Sequence, residues 1–272
     1  MYKLIALDMD GTLLREDKTI SKETHRAIQR ARAKGVKVVL TTGRPVDGVK
    51  RYLDELKMTT DEDYVIAYNG SLVQNAKTKE VIAETVMGLE DIDYLYNLSQ
   101  ELKVNIHALT NHSCITPKWS KYSQVEADIN QIPLEFVDFS NLDKDTTIVK
   151  IMFIDEPEVL SEAISKLPPD IYEKYSILRS APYFLEFLDK KVNKGAGVEL
   201  LATKLGIKRE EVICVGDAGN DLHMIKFAGL GVAMGNAFPE VKEIADYVTL
   251  SNEDHGVAHV INKFVLNEDK AS

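Results

Sequence analysis

Two aspartates one residue apart, Asp8 and Asp10 in KLIALDMDGTLL, stand at the end of an apolar run. Carboxylates placed this way repel each other and resist desolvation. The pair therefore requires a metal ion, a shared proton or a basic side chain. Three more short stretches carry reactive types: TTGR (41–44), NKG (193–195) and GDAGND (216–221). Together the four supply carboxylates, small hydroxyls, one lysine and an amide. That inventory matches phosphoryl transfer, which needs a nucleophile, an acid/base, a divalent cation and donors for the equatorial oxygens.

Taken singly, three of the four are unremarkable. A threonine pair before Gly43 reads as a turn, Lys194 as a solvated lysine, and GDAGND as a tight loop with Asp221 capping the next helix. Lys194 counts for more because it stands at an apparent helix start, where a cation opposes the macrodipole. DMDG is not an EF-hand loop: its Gly is fourth rather than sixth, and a strand precedes it. The argument rests on the order of all four stretches.

The elements that must position them alternate between apolar runs and helical periods. KLIAL precedes a helix over about 21–34, with Ser21 as N-cap and Gly35 as the stop. VKVVL (36–40), a helix over 46–56 and YVIAY (64–68) follow. Asn69-Gly70 then signals a hairpin turn before SLVQN. The rhythm returns late in the chain, with a helix over 194–205, VICVG (212–216), a helix near 221–228, LGVAM (230–234), YVTL (247–250) and a helix near 255–265. Continuous apolar strands between helices predict an α/β fold with a doubly wound parallel sheet covered on both faces. Each reactive stretch follows a strand or opens a helix, where the crevice of such a sheet lies.

The middle reads differently: a helix over 89–103, KVNIHAL, a polar loop stretch, IVKIMFI (148–154), a helix over 158–166 and YFLEFL (183–188). This predicts an α+β unit over 85–188, inserted into a core made of 1–84 and 189–272.

Composition narrows the function. At 44% hydrophobic and 28% charged residues the chain is an ordinary globular one, and its net charge of −10 argues against nucleic acid or an anionic membrane as partner. Cys114 and Cys214 lie far apart without CxxC spacing, which fits a reducing cytoplasm. No apolar run is long enough to span a bilayer, and the first one stops at Asp8, so a cytoplasmic protein without a signal peptide is expected.

DMDGTLL, the hydroxyl in VVLTTGR, the lysine in VNKG and the acidic GDAGND resemble, in order, the four motifs of the haloacid dehalogenase superfamily. The insertion between the second and third motifs is similar to the large cap of the Cof-type branch. The resemblance implies a Rossmann-like core with an α+β cap that sets specificity. It also implies roles: Asp8 the nucleophile, forming an aspartyl-phosphate, and Asp10 the acid/base. Mg²⁺ would be held by the Asp8 and Asp217 side chains and the Asp10 main-chain carbonyl. Thr42, Lys194, Asn220 and the backbone amides around Met9 and Gly43 would bind the phosphoryl group, with Asp221 supporting the metal or Lys194 from behind. Thr41 is the less favoured hydroxyl, because Thr42 directly precedes Gly43.

The expected activity is Mg²⁺-dependent hydrolysis of a small phosphorylated metabolite, foremost a sugar phosphate, by a monomer or homodimer. The alternatives are a phosphomutase sharing the aspartyl-phosphate step and a phosphate-sensing protein without turnover. Outside the motifs, His107 and His112 match no helical metal face. Packing is the simpler reading of Trp119, Tyr122 and Tyr183 than a sugar pocket. Arg44 fits a substrate contact and a solvated arginine equally.

Overall fold

The structure, a computed structural model, describes residues 1–110, 112–143 and 146–268. It divides into two compact units, one of Met1–Gly43, Val49–Glu84 and Asn193–Ser272, the other of Arg44–Gly48 and Thr85–Val192.

The first unit begins with β1 (Leu4–Leu7), α1 (Lys22–Ala33), β2 (Lys37–Thr41), α2 (Lys50–Glu55), β3 (Tyr64–Ala67), β4 (Leu72–Asn75) and β5 (Val81–Glu84). The inserted unit contains α3 (Leu89–Leu102), β6 (Asn105–Leu109), β7 (Cys114–Thr116), α4 (Lys121–Asn130), β8 (Leu134–Phe136), β9 (Lys150–Ile154), α5 (Pro157–Ser165), α6 (Ile171–Lys174), β10 (Tyr175–Ala181) and β11 (Phe184–Asp189). The first unit resumes with α7 (Lys194–Lys204), β12 (Val212–Gly216), α8 (Leu222–Phe227), β13 (Leu230–Ala233), α9 (Pro239–Ile244), β14 (Tyr247–Val248) and α10 (Gly256–Phe264).

The first unit is a doubly wound α/β sheet of order β14-β13-β12-β1-β2-β3-β4-β5. From β14 to β3 the pairs are parallel, and β4 and β5 add an antiparallel hairpin edge. β1 is central, with Ala6 level with Cys214 on one side and Val39 on the other. All four of its residues are buried, which is why LIAL is a continuous apolar run rather than an alternating one. α1 packs on α10, and α7 on α8. The chain winds one way from β1 through β2 to β3, and the other way from β12 through β13 to β14. The reversal at β1 and β12 is the switch point at which such sheets open a crevice.

Local chemistry sets the ends of these elements. Ser21 caps α1 by accepting from the Thr24 amide, and Gly35, at φ 81°, takes the left-handed turn that leads into β2. The helix expected over 46–56 is realised as a 3₁₀ turn at Asp47–Val49 followed by α2.

The inserted unit is a six-stranded, mostly antiparallel sheet of order β10-β11-β9-β6-β7-β8. Period-two alternation gives it two unlike faces. Ile106, Ala108, Ile151, Phe153, Leu185 and Phe187 pack against Ile92 and Leu95 of α3 and Leu160 of α5. The opposite face carries His107, Met152 and Glu186 side by side in register. There Lys150 Nζ lies 3.1 Å from Glu186 Oε1 and 3.5 Å from Glu126 Oε1 of α4, all three buried. Burial opposes the Lys150 charge, but the two glutamates outweigh it and hold the ammonium above its ordinary range.

The polar loop stretch expected between KVNIHAL and IVKIMFI is not all loop: it contains β7, α4 and β8. Two of these are strands of three residues, too short to show a period. α4 buries Ser123, Glu126 and Asn130 with Ala127 as its one fully buried apolar residue, so it shows no apolar stripe. Tyr122 and Tyr183 stack at 4.7 Å against Met152, Ile154 and Phe184, whereas Trp119 is 59% exposed.

Candidate active site

Asp8 is the first residue beyond β1, and its amide still donates to Val215 O of β12 at 3.0 Å. The chain then reverses tightly, with Leu13 N donating to Asp8 O at 3.2 Å and Leu14 N to Met9 O at 2.8 Å. Gly11 permits that reversal. Its φ is 87°, and a Cβ there would sit 2.3 Å from Asp217 Oδ2. Both the backbone and the neighbouring carboxylate thus require glycine. The Met9 side chain is buried. Asp10 is exposed, and its Oδ1 accepts from Lys18 Nζ at 2.8 Å.

Lys194 is the first residue of α7, whose N-cap Asn193 accepts from the Ala196 amide. Its side chain is 0% exposed. Nζ donates to Asp8 Oδ1 at 2.5 Å and to Asp221 Oδ1 at 2.7 Å. Asp221 Oδ2 accepts from the amides of Asp217 (2.9 Å) and Ala218 (3.0 Å), which fixes the loop after β12. Thr12 Oγ1 donates to Asp217 Oδ1 at 2.9 Å. Oxygens of Asp8, Asp217 and Asp221 lie within 4.8 Å of one another.

Three carboxyl groups share one ammonium, so full ionisation would leave two negative charges unmatched. Burial, and then Asp221, push the Asp8 carboxyl well above its ordinary range despite Lys194. Burial also raises Asp217, against the hydrogen bond from Thr12. Burial alone would lower the Lys194 ammonium, but Asp221 and Asp8 outweigh it and raise it. Its clustered carboxylate oxygens are the hard ligand type that suits a metal cation.

The TTGR stretch ends β2 next to this cluster's strand. Thr42 N donates to Ile66 O at 2.9 Å, and Thr42 O accepts from Asn69 N at 2.8 Å. Thr41 and Thr42 are both buried, and Thr41 Oγ1 has no hydrogen-bond partner among the described residues. A Cβ on Gly43 would lie 3.2 Å from the Asn69 carboxamide, whose Oδ1 accepts from Asn220 Nδ2 at 3.1 Å. The structure thus joins Asp8, Lys194, Asp217 and Asp221 directly, and Gly43 and Asn220 through Asn69. It leaves the Asp10 carboxylate outside the trio, paired with Lys18.

Sequence reasoning missed three residues here. Thr12 lay inside a quoted motif but its acceptor, 205 positions away, could not be read. Lys18 carried no signal. Asn69 showed only as half of a turn signal.

The chain matches the haloacid dehalogenase-like hydrolase family over residues 5–261 and belongs to it. It is 51% identical over 268 residues to a Bacillus subtilis protein named "Putative phosphatase YxeH", covering 98% of this chain and 99% of that one. A haloacid dehalogenase-like hydrolase from Bacteroides thetaiotaomicron superposes with TM-score 0.85 at 35% identity, over 97% of this chain and 99% of the other. The HAD subclass IIB sugar phosphatase BT4131 superposes with TM-score 0.78 at 27% identity, over 96% and 98%. The protein is an enzyme of the phosphatase kind.

Proposed function

We propose that this chain is a Mg²⁺-dependent phosphatase of small phosphorylated metabolites, sugar phosphates foremost, that works through an aspartyl-phosphate on Asp8. The observation that carries this reading is the buried cluster at the end of β1, where Asp8 is held between Lys194 and two further carboxyl groups, so that full ionisation would leave two charges unmatched.

Asp8 and Asp217, with the Asp10 main-chain carbonyl, would hold Mg²⁺, which when bound offsets that excess charge and the charge of the phosphoryl oxygens. An Asp8 oxygen attacks phosphorus as the ester P–O bond breaks, and Asp10 gives its proton to the leaving oxygen. Asp10 then takes a proton from the water that attacks the aspartyl-phosphate, releasing inorganic phosphate and restoring Asp8. Thr42, Lys194, Asn220 and the amides around Met9 and Gly43 bind the phosphoryl oxygens. Asp221 aims Lys194, since it accepts from Nζ while its other oxygen is anchored by two amides.

The inserted unit would act as a cap selecting the rest of the substrate. Sugar phosphates are supported by the likeness to a sugar phosphatase, and by the run SAPYFLEFLDKKVNKG, which resembles the bacterial sugar phosphatase YidA. A cytoplasmic location is supported by two buried thiols, and no helix among the described residues is long and apolar enough to cross a membrane. A monomer or homodimer serves this chemistry equally.

The test is phosphate release from a panel of phosphorylated metabolites after EDTA treatment, with and without added Mg²⁺. Release of inorganic phosphate only with Mg²⁺, best from sugar phosphates, is expected. Conversion of a sugar phosphate to its isomer without phosphate release would make the enzyme a mutase, and no turnover of any ester would make it a sensor.

A further inference from the structure

We propose that Asn69 is a positioning residue for phosphate binding, which fixes the carboxamide of Asn220 so that an N–H faces the phosphoryl group. The inference rests on the reading of Asn220 as a phosphate contact. Asn69 follows β3, far in sequence from the four reactive stretches, yet it touches two of them directly. Its amide donates to Thr42 O at 2.8 Å, its side chain lies against Gly43, and its Oδ1 accepts from Asn220 Nδ2 at 3.1 Å across 151 positions.

Turn geometry accounts for an asparagine here but not for where its side chain lies. Asn69 has φ 56° and ψ 27°, and Gly70 has φ 102°. Glycine adopts that left-handed backbone most readily and asparagine tolerates it, so the backbone conformation alone does not require this carboxamide. A turn residue also has no need of burial, but Asn69 is only 7% exposed. The turn itself is pressed into the site, because a Cβ on Gly70 would stand 2.3 Å from Asn193 O, the carbonyl just before Lys194.

The carboxamide contact has a directional consequence. An Asn side chain offers two N–H groups and one carbonyl oxygen. With one Asn220 N–H spent on Asn69 Oδ1, the plane of the amide is set and its second N–H points one way. Without that acceptor, the amide can turn over and present its oxygen to an anion, which repels it. Asn69 therefore acts through Asn220 and touches no substrate itself.

The test uses the full chain and p-nitrophenyl phosphate, with Asn69→Gly, Asn69→Asp, Asn220→Ala and the Asn69→Gly/Asn220→Ala double variant. Steady-state kinetics, inhibition by inorganic phosphate and melting temperature are measured for each. Asn69→Gly should lower kcat/KM by roughly tenfold and weaken phosphate inhibition in parallel, with its fold intact. The double variant should be no worse than Asn220→Ala alone, since the two residues act in series. Asn69→Asp keeps an acceptor, so kcat should return to within about threefold of wild type while the added charge raises KM. If Asn69→Gly stays within about twofold of wild type, or if the two losses multiply in the double variant, the inference is overturned. An Asn220→Ala variant with full activity would instead remove Asn220 from the phosphate site, and this inference with it. Should glycine lower the melting temperature, Asn69→Asp decides: a kcat no better than that of Asn69→Gly overturns the acceptor role.

Discussion

Lys194 Nζ lies 2.5 Å from Asp8 Oδ1, although the two residues stand 186 positions apart and the lysine is fully buried. One is the first residue past the central strand and the other is the first residue of a helix. A lysine at a helix start opposes the macrodipole by about 0.3–1 kcal/mol. Two carboxylates within hydrogen-bond distance outweigh that cost, which is why Lys194 can open α7.

Removing that ammonium should damage both stability and chemistry. Lys194→Met leaves Asp8 and Asp221 buried without their shared partner. We expect a loss of about 3–5 kcal/mol in metal-free protein, and turnover reduced at least about a hundredfold. Denaturant melts and phosphate release measure the two. Unchanged stability together with a loss under tenfold would mean the pair is incidental.

Gly11→Ala tests the turn that carries Asp10. The methyl meets Asp217 Oδ2 and the backbone must hold φ 87°. Strain of about 1–3 kcal/mol is expected, together with a shift of Asp217 that raises the Mg²⁺ concentration needed for half-maximal activity. A variant with wild-type Mg²⁺ dependence would show that Asp217 does not depend on this close approach.

How much of this could be read from sequence followed the physics of each signal. β1, β2 and β12 are buried on both faces, so their apolar runs announced a parallel sheet, and Ser21 announced the start of α1. α4 hid because three of its four buried residues are polar: Ser123 contacts His107, Glu126 pairs with Lys150, Asn130 donates back to Glu126 O, and only Ala127 is apolar. Asp8 and Lys194 stood out by motif. Thr12, Lys18 and Asn69 did not, because each matters only through a partner that folding brings to it.

His107 gives the inserted unit an acid-sensitive point. It is fully buried, contacts Ser123 Oγ at 3.3 Å and Met152 Sδ at 3.1 Å, and has its pKa lowered from 6.5 to about 3 by burial and then by Lys150. The folded pKa lies below the unfolded one, so the unfolded chain binds more protons between these values. His107 leaves stability unaffected above pH 6.5 and erodes it as pH falls toward 3. Between pH 6.5 and about 4.5 its share is about 2–3 kcal/mol. His107→Gln should remove that share, giving a flatter stability profile in urea melts across this range. Parallel profiles for wild type and variant would show that His107 does not titrate with unfolding.

Asp10→Asn should separate the two halves of the reaction. Alkyl phosphates need a proton on the leaving oxygen and should lose nearly all turnover. p-Nitrophenyl phosphate leaves without one, so its phosphorylation step should suffer less. Equal losses in the rate of that first step for both substrates would count against Asp10 as the leaving-group acid.

The same variant offers the sharpest test of the central claim, that Asp8 carries the phosphoryl group. Without the Asp10 carboxyl to activate water, the phosphoenzyme should build up when Asp10→Asn protein meets p-nitrophenyl phosphate and Mg²⁺. Acid quenching, proteolysis and mass spectrometry should then place one added phosphoryl group on the peptide containing Asp8, absent after EDTA and absent from Asp8→Asn/Asp10→Asn protein. A phosphoryl group on another residue, or an Asp8→Asn single variant that still turns over at the wild-type rate, would contradict the account.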